Sequence, residues 1–261
     1  MIWTSIVGKE AIAIGGFFLV VKWCVDMAVY GRARWTVLIL GLAVGLLMRP
    51  HYAVGYLLVA CSSWVMARSP VAVGVRFSVG ALAAALSLLA SLLLIGMAAT
   101  HFVWVDWLQY LMEVSQRYFL SYDAGSNRYW IPWGDSRDFF LNAWWGVPLS
   151  WIGPTVGEAL SRPMFMPVLV EGLLSLFLMA ACAYALVGFA CANPKYRMVI
   201  VFGFMPAVAM ALAAHYPFGL FNPGSALRYK QSLAPLVYFY PLLLMAEHRR
   251  AVMLDRGRSY G

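Results

Sequence analysis

The chain carries few charged residues for its length. Only 11% of its 261 residues are charged, whereas 63% are hydrophobic, and its mean hydropathy is +0.76. Soluble domains usually contain about 25% charged residues. The composition therefore excludes an ordinary water-soluble domain and indicates an integral membrane protein.

The sequence also lacks the signatures of common cofactor and metal enzymes. It contains no Walker loop and no GxGxxG, HExxH or GxSxG motif. Its four histidines do not show the spacing of metal ligands, and its four cysteines include no CxxC pair. We therefore expect no cofactor and no metal, and we interpret the cysteines as small apolar residues of helices.

The formal net charge is +8 at pH 7, but the basic residues do not form one surface. They are scattered over short connections and the C-terminal tail, which is the distribution that the positive-inside rule imposes on membrane proteins. A nucleic-acid-binding protein needs a clustered basic face. We therefore expect membrane lipids, and no nucleic acid, among the partners.

Seven apolar segments predict an all-α fold, a polytopic transmembrane helical bundle of about seven spans, since one crossing takes roughly 20 residues. Three segments are short, and two of them flank Arg49-Pro50-His51. Proline cannot continue a helix without losing a backbone hydrogen bond, so we expect a helix break there. The segments are 11–30, 35–48, 52–67, 77–99, 166–191, 198–215 and 232–246.

The basic residues of the connections predict an orientation with the C-terminus in the cytoplasm. The outer side then receives residues 49–51, the 100–165 loop and the 216–231 loop. The long loop carries four arginines and six acidic residues, hence a net charge of −2, as suits an exported segment. Three regions follow: N-terminal transmembrane helices (1–99), an aromatic-rich extracytoplasmic loop (100–165), and C-terminal transmembrane helices with a basic tail (166–261).

The long loop has structure of its own. Residues 103–119 place aromatic and aliphatic side chains near one helical face and polar side chains near the other. This pattern predicts an amphipathic helix at the membrane interface. A second aromatic stretch, FFLNAWWGVPLSWIGP at 139–154, is a candidate to re-enter the interface.

Cations on the predicted outer side are the first candidates for a functional site, because positive charge is disfavoured there. Arg49 either snorkels to the headgroups or grips a phosphate with its guanidinium. His51, if neutral, is a general base or a hydrogen-bonding residue. Arg228 with its neighbours Tyr229 and Lys230 is either an interfacial anchor or an anion site.

Lys9 and three carboxylates complete the candidates. Lys9, beside Glu10, either assists the other cations or marks a helix start. Glu171 lies early in an apolar span, where a carboxylate is functional by default. Asp135 and Asp138 either bind a cation or are solvated loop charges. A separate structural pair is expected between Lys22 and Asp26, which are four residues apart on one helix. The candidate carboxylates are thus Asp135, Asp138 and Glu171.

Three short motifs together resemble a known family. Gly8-Lys9-Glu10 opens a span, Arg49-Pro50-His51 ends the next, and Leu227-Arg228-Tyr229-Lys230 precedes the last. In outline, over most of the chain, they resemble the bacterial Wzy-like and EpsG-like polymerases of O-antigen and exopolysaccharide assembly.

The resemblance implies a metal-independent membrane glycosyltransferase of the bacterial cytoplasmic membrane. Its substrate would be a glycan linked to a polyprenyl pyrophosphate, and its partners would include other polysaccharide-assembly membrane proteins. Outer-face arginines would hold the pyrophosphate. The implied catalytic residues are Arg49, His51 and Arg228. The implied substrate-binding residues are Lys9, Tyr229, Lys230, Glu171, Asp135 and Asp138.

The chain departs from this family in its length. Such polymerases usually have ten or more spans and carry helices ahead of the Gly-Lys-Glu segment. The chain is therefore either an incomplete polymerase whose upstream helices are missing or a smaller relative with another task. Two other functions remain open. One is a transporter or flippase for an anionic lipid-linked glycan, which would need more polar residues in mid-span. The other is a non-catalytic membrane subunit whose aromatic loop binds a partner.

Overall fold

A computed structural model places most of the chain in helices. It describes residues 2–68, 109–110, 113, 116–117, 128–134 and 136–258. Helix accounts for 91% of it, and no strand occurs within these residues. The predicted all-α class is therefore confirmed over the described chain. The predicted span 77–99, Asp135 and most of the region 103–119 lie outside the described residues.

Ten α-helices follow one another along the described chain, and short 3-10 and π segments join several of them. The α-helices are α1 (Ile2–Tyr30), α2 (Trp35–Met48), α3 (Pro50–Arg68), α4 (Ser136–Ile152), α5 (Val156–Ser161), α6 (Met166–Ala192), α7 (Pro194–Val199), α8 (Met205–Phe221), α9 (Pro223–Lys230) and α10 (Tyr240–Arg258). The 3-10 segments are Pro163–Phe165 and Gln231–Leu233, and the π segments are Ile200–Phe204 and Pro235–Phe239.

Among the described residues, three helical stretches are long and apolar enough to cross a membrane, namely Gly8–Tyr30, Pro163–Ala192 and Pro194–Phe221. They coincide with three of the predicted segments. The helix Trp35–Met48 is apolar but shorter. The chain is thus a helical protein whose described part includes helices long and apolar enough to cross a membrane, while the number of seven spans stays a prediction.

The break expected at Arg49-Pro50-His51 is present. Helix α2 ends at Met48 and α3 begins at Pro50, so that Arg49 alone separates them, with φ −147° and ψ 67°. Proline suits the first helical position, because its missing N–H would have no partner there. The Arg49 amide still donates to the carbonyl of Gly45 at 2.7 Å. The two helices therefore meet at a sharp corner that carries the Arg49 side chain.

The stretch 216–231, expected as an outer loop, is almost entirely helical. Helix α8 continues to Phe221 and α9 begins at Pro223, leaving Asn222 between them. The Asn222 side-chain oxygen accepts hydrogen bonds from the amides of Gly224 (2.8 Å) and Ser225 (3.3 Å). The turn-forming sequence thus caps a new helix instead of starting a loop.

The chain forms two compact units that interleave along the sequence. The first combines the described parts of Met1–Leu82 with Leu178–Ala211 and Gln231–Gly261. In this unit α1 packs against α2, α3 and α10. Small residues bring α1 and α2 close together, since a Cβ on Gly41 would lie 2.7 Å from the carbonyl oxygen of Gly16.

The second unit combines the described parts of Ala83–Phe177 with Leu212–Lys230. Its core is a cluster of buried residues, three of them aromatic, that comes from the segment 128–134 and the end of α8. Side chains of α4 and α9 pack against this cluster. The buried residues are Ile131, Trp133, Tyr216, Leu220 and Phe221.

Gly172 of α6 allows an unusually close approach in the second unit. A Cβ at this position would overlap the carbonyl oxygen of Ile152, well inside van der Waals contact. Backbone cannot move aside as a flexible side chain can. A side chain at position 172 should therefore push α6 away from the end of α4.

We predict that Gly172→Ala lowers the free energy of unfolding by about 1–3 kcal/mol, because of this overlap. Gly188→Ala is the matched control on the same helix, since a Cβ at Gly188 meets nothing within 4 Å. The control should be neutral or stabilising by up to about 1 kcal/mol, as alanine favours helix over glycine. Thermal unfolding in detergent measures both, and equal shifts would contradict the prediction.

Candidate functional site

Arg49 is held by a buried carboxylate in the first unit. Glu10 of α1 is only 5% exposed. The Arg49 Nη2 forms an ion pair with Glu10 Oε1, and its Nε donates to Glu10 Oε2 at 3.2 Å. The buried hydroxyl of Ser232 donates to the same Oε2 at 3.1 Å. One edge of the guanidinium fork is therefore occupied, and its charge is matched within the protein.

A tyrosine hydroxyl fixes the position of Ser232. In a regular helix the amide of Leu236 would donate to the carbonyl of Ser232. Here the Tyr56 hydroxyl lies between them, donating to the Ser232 carbonyl at 2.9 Å and accepting from the Leu236 amide at 3.1 Å. A group inserted into the backbone ladder widens a helix, and the π segment Pro235–Phe239 begins at this point.

The other two candidates of the first unit differ in exposure. Lys9 is exposed, although Glu10 beside it is buried. His51 is partly buried, and its ring contacts that of Tyr52 with centroids 4.1 Å apart. Burial, assisted by the nearby charge of Arg49, lowers the pKa of His51 to about 4. The imidazole is therefore neutral near pH 7 and is a weak base there.

Lys230 and Glu171 form a pair in the second unit. The Lys230 side chain is 4% exposed, and its ammonium nitrogen lies 2.6 Å from Glu171 Oε2. It also donates to the carbonyl oxygen of Trp151 at 3.2 Å. Glu171 keeps about half of its side chain exposed, with 49% accessible. Two residues predicted separately as substrate-binding are thus brought together, and each neutralises the other.

The most deeply buried cation of this unit, Arg128, was not singled out from the sequence. Its side chain is 1% exposed. It donates from Nε and Nη2 to both oxygens of Glu158, at 2.7 and 2.6 Å, and from Nη1 to the carbonyl of Leu220 at 2.9 Å. A further bond reaches the carbonyl of Gly153. Arg128 therefore ties three chain segments of the second unit together.

One sequence signal could have pointed to the ion pair between Arg128 and Glu158. Thr155 and Glu158 have the spacing of a capping box, and the structure contains it: Thr155 Oγ1 accepts from the Glu158 amide, while Glu158 Oε2 accepts from the Thr155 amide. Partial burial alone would raise the pKa of Glu158, but the hydrogen bonds from Arg128 and Thr155 lower it below its usual value. Glu158 is thus ionised and fixed.

Arg228 differs from these cations. Within the described chain it makes no ion pair, and its buried Nε has no hydrogen-bond partner. Its Nη2 reaches the Tyr229 hydroxyl at 3.3 Å, and its guanidinium carbon lies 4.9 Å from the centre of the Tyr229 ring. A half-buried guanidinium with an unmatched charge and an unused donor is suited to bind an anion.

The aromatic core beside Tyr229 also contains unused donors. Tyr229 and Phe218 pack against this core, with their ring centroids 5.2 Å apart. Among the described residues, the buried Trp133 Nε1 and the Tyr216 hydroxyl have no hydrogen-bond partner. Their rings are stacked 5.5 Å apart. Buried donors without a partner are uncommon in protein cores. They fit a site in which polar groups of a ligand supply the missing hydrogen-bond acceptors.

The remaining candidates do not join these clusters. Asp138 accepts a hydrogen bond from the Gly134 amide at 2.7 Å, so it shapes the turn before α4. Asp135 lies outside the described residues. The pair Lys22–Asp26 is confirmed, with Nζ and Oδ1 2.5 Å apart. Lys9, Arg49 and His51 belong to the first unit, whereas Glu171, Arg228, Tyr229 and Lys230 belong to the second.

Comparison of the chain with protein families, curated proteins and solved structures finds no match. Within the described residues, no group of three or more His, Cys, Asp or Glu side chains is arranged as metal ligands. The side chains that these sites bring together are arginine, lysine, histidine, carboxylates, hydroxyls and aromatic rings.

We predict that Arg128→Met destabilises the protein by about 3–5 kcal/mol, because removing one partner of a buried pair leaves the other charge and the carbonyls unmatched. Arg117→Met is the control: it breaks an ion pair whose arginine is 82% exposed, which should cost less than about 1 kcal/mol. Thermal unfolding in detergent would compare them. Similar losses in the two variants would contradict a structural role for Arg128.

The lowered pKa of Glu158 predicts a pH dependence. A carboxyl group with a lower pKa in the folded chain stabilises the fold above its unfolded pKa, and this contribution is lost as pH falls through the folded pKa. The difference in Tm between the wild type and Glu158→Gln should therefore be largest at neutral pH and shrink below about pH 4. A pH-independent difference would contradict this prediction. The control is Glu113→Gln, which removes the carboxylate of an exposed ion pair.

Proposed function

We propose that the protein transfers glycan repeats from a polyprenyl-pyrophosphate carrier at the outer face of the bacterial cytoplasmic membrane, as a polymerase of polysaccharide assembly does. The observation that carries this proposal is Arg228, a half-buried cation without a carboxylate partner beside an aromatic core. A pyrophosphate supplies the missing negative charge. The motifs around Lys9, Arg49 and Arg228 that resemble Wzy-like and EpsG-like polymerases support the same assignment.

Arg228 would act on the leaving group. In glycosyl transfer, the acceptor hydroxyl oxygen forms a bond to the anomeric carbon, while the bond from that carbon to the pyrophosphate oxygen breaks. The leaving oxygen takes the electron pair, and the hydroxyl proton passes to the pyrophosphate or to solvent. A guanidinium that binds the developing charge stabilises the transition state. No strong base is assigned, since His51 with a pKa of about 4 is a weak one.

Aromatic side chains of the second unit would bind the sugars. Trp130 is 61% exposed and stacks on Trp145 at 6.1 Å. Trp144 is 79% exposed and Tyr129 62%. Indole and phenol rings offer flat apolar faces together with polar edges, and both suit sugars and membrane interfaces. These side chains extend the site from the pyrophosphate toward the glycan.

Arg49 and Lys230 receive a supporting role in this proposal. Each already faces a carboxylate, Glu10 and Glu171 respectively. An anion would have to compete with that carboxylate for the same donors. We therefore propose that both are positioning residues and do not bind the anion. Arg49 acts at the corner between α2 and α3, and Lys230 at the end of α9.

The proposal also includes the predicted topology. Seven spans would place the aromatic region outside and the basic tail in the cytoplasm. The three long apolar helices support the membrane location. With this orientation the candidate cations face the side on which lipid-linked glycans would be polymerised.

A second candidate is a non-catalytic membrane subunit. Within the described chain, only 17% of the apolar window of Pro163–Ala192 is buried. Phe177 and Tyr184 on this helix are 73% and 84% exposed. An apolar helix that is this exposed is suited to contact either lipid or a partner helix. A subunit of this kind would leave glycan length unchanged when Arg228 is replaced.

We predict that Arg228→Ala reduces polymer formation by about 10²–10³-fold, the usual loss for one electrostatic donor to a transition state. Glycans of a deletion strain complemented with each variant would be resolved on gels that separate polymer ladders from lipid-linked single repeats. Single repeats should accumulate with Arg228→Ala, and Arg228→Lys should restore part of the polymer. Arg117→Ala, an exposed loop cation, should leave the ladder unchanged.

Arg49→Ala is also expected to abolish polymer formation, but it leaves the buried carboxylate of Glu10 without its ion-pair partner. The double variant Glu10→Gln/Arg49→Gln removes both charges and keeps a polar side chain at each position. Polymer restored in the double variant would indicate positioning, whereas continued loss with normal membrane insertion would indicate that Arg49 binds the anion. Wild-type polymer with Arg228→Ala would refute the proposed site.

A further inference from the structure

A cavity of about 670 Å³ lies in the first unit at the C-terminal end of α1. It is lined by Lys22, Asp26 and Tyr30 of α1 and by Arg32 and Arg34 of the following turn. Small-molecule sites usually measure about 300–1,000 Å³. The cavity takes no part in the proposed glycosyl transfer, and its size is sufficient for a phospholipid headgroup.

The charges that line the cavity are unequally matched. Lys22 and Asp26 neutralise each other at 2.5 Å. Arg32 and Arg34 are both exposed and have no carboxylate partner within the described chain. The nearby carboxylate Glu247 already accepts a hydrogen bond from Tyr30 at 2.5 Å. The mouth of the cavity is therefore cationic.

The cavity lies where a membrane interface would be. The apolar stretch Gly8–Tyr30 ends at it, and the apolar helix Trp35–Met48 starts beside it. Gly31, with φ +69°, makes the corner between them. Eight residues of helix separate Lys22 from Tyr30, which is a depth of about 12 Å. The cavity thus extends from the level of the two arginines toward the apolar part of α1.

The apolar face beside the cavity distinguishes a lipid from a free anion. Val37 of α2 lines the cavity. Leu40 and Leu47, three and ten residues further along, lie on the same side of that helix and are 57% and 79% exposed. Acyl chains can lie along such a face while the headgroup enters the cavity. Inorganic phosphate would gain nothing from these side chains. Both the exposed helix face and the adjoining arginines therefore favour one amphiphilic ligand.

We propose that this cavity binds the headgroup of an anionic phospholipid. Arg32 and Arg34 hold the phosphate, since guanidinium groups bind phosphate oxygens in a bidentate fashion. The Trp23 and Tyr30 rings line the cavity and border the headgroup, as aromatic residues do at membrane interfaces. The bound lipid anchors the turn between α1 and α2, and this role is independent of the glycosyl transfer proposed above.

The test measures lipid binding to the full chain in detergent. Native mass spectrometry counts bound dioleoylphosphatidylglycerol, with dioleoylphosphatidylcholine as the zwitterionic reference, and a thermal shift with each lipid or with inorganic phosphate provides a second readout. We expect at least about tenfold tighter binding of phosphatidylglycerol. Each basic residue near an anionic surface contributes roughly a fivefold factor, so Arg32→Gln/Arg34→Gln should weaken that binding about tenfold or more.

Two further variants keep the test decisive. Arg249→Gln/Arg256→Gln makes the same charge change at exposed positions of α10 and should leave phosphatidylglycerol binding unchanged. Ala33→Trp keeps both arginines but narrows the cavity, so it should lose binding even if the double arginine variant fails to fold. Equal binding of both lipids, equal protection by inorganic phosphate, or equal loss in the α10 control would each overturn the proposal.

Discussion

A charge removed from water must be matched by an opposite charge, because an unmatched buried ion costs several kcal/mol. In a chain that is only 11% charged, this requirement governs much of the packing. Arg49 meets Glu10, Arg128 meets Glu158, and Lys230 meets Glu171. Each pair joins segments that are distant along the chain, so pairing and tertiary structure depend on each other.

The same requirement distinguishes the cations that are matched within the protein from Arg228, for which we propose a function. Arg128 has acceptors for both of its terminal nitrogens and for Nε, and it is almost fully buried. Arg228 is half-buried, and its Nε has no acceptor among the described residues. A charge held without a partner is stable only if water or a ligand supplies one. This contrast, rather than position in the sequence, is the basis of our proposal that Arg228 binds an anion.

Interrupted helices place several of these side chains. The corner at Pro50 presents Arg49, and the Tyr56 hydroxyl inserted before Pro235 orients Ser232 toward Glu10. The cap at Asn222 starts the short helix that carries Arg228 and Lys230. Backbone groups freed at such breaks need side-chain partners. The polar groups of the candidate sites therefore lie where the helices are interrupted.

The sequence by itself determined the helical membrane class, the break at Pro50 and the Lys22–Asp26 pair. Each follows from composition or from interactions within one or two helical turns, which the helix period alone describes. Tertiary structure decided that Arg49 and Lys230 are neutralised, that 216–231 is helical, and that Arg128 is an anchor. Glu10 and Ser232 are 222 residues apart, and the choice of such partners depends on how whole helices pack, which no local spacing encodes.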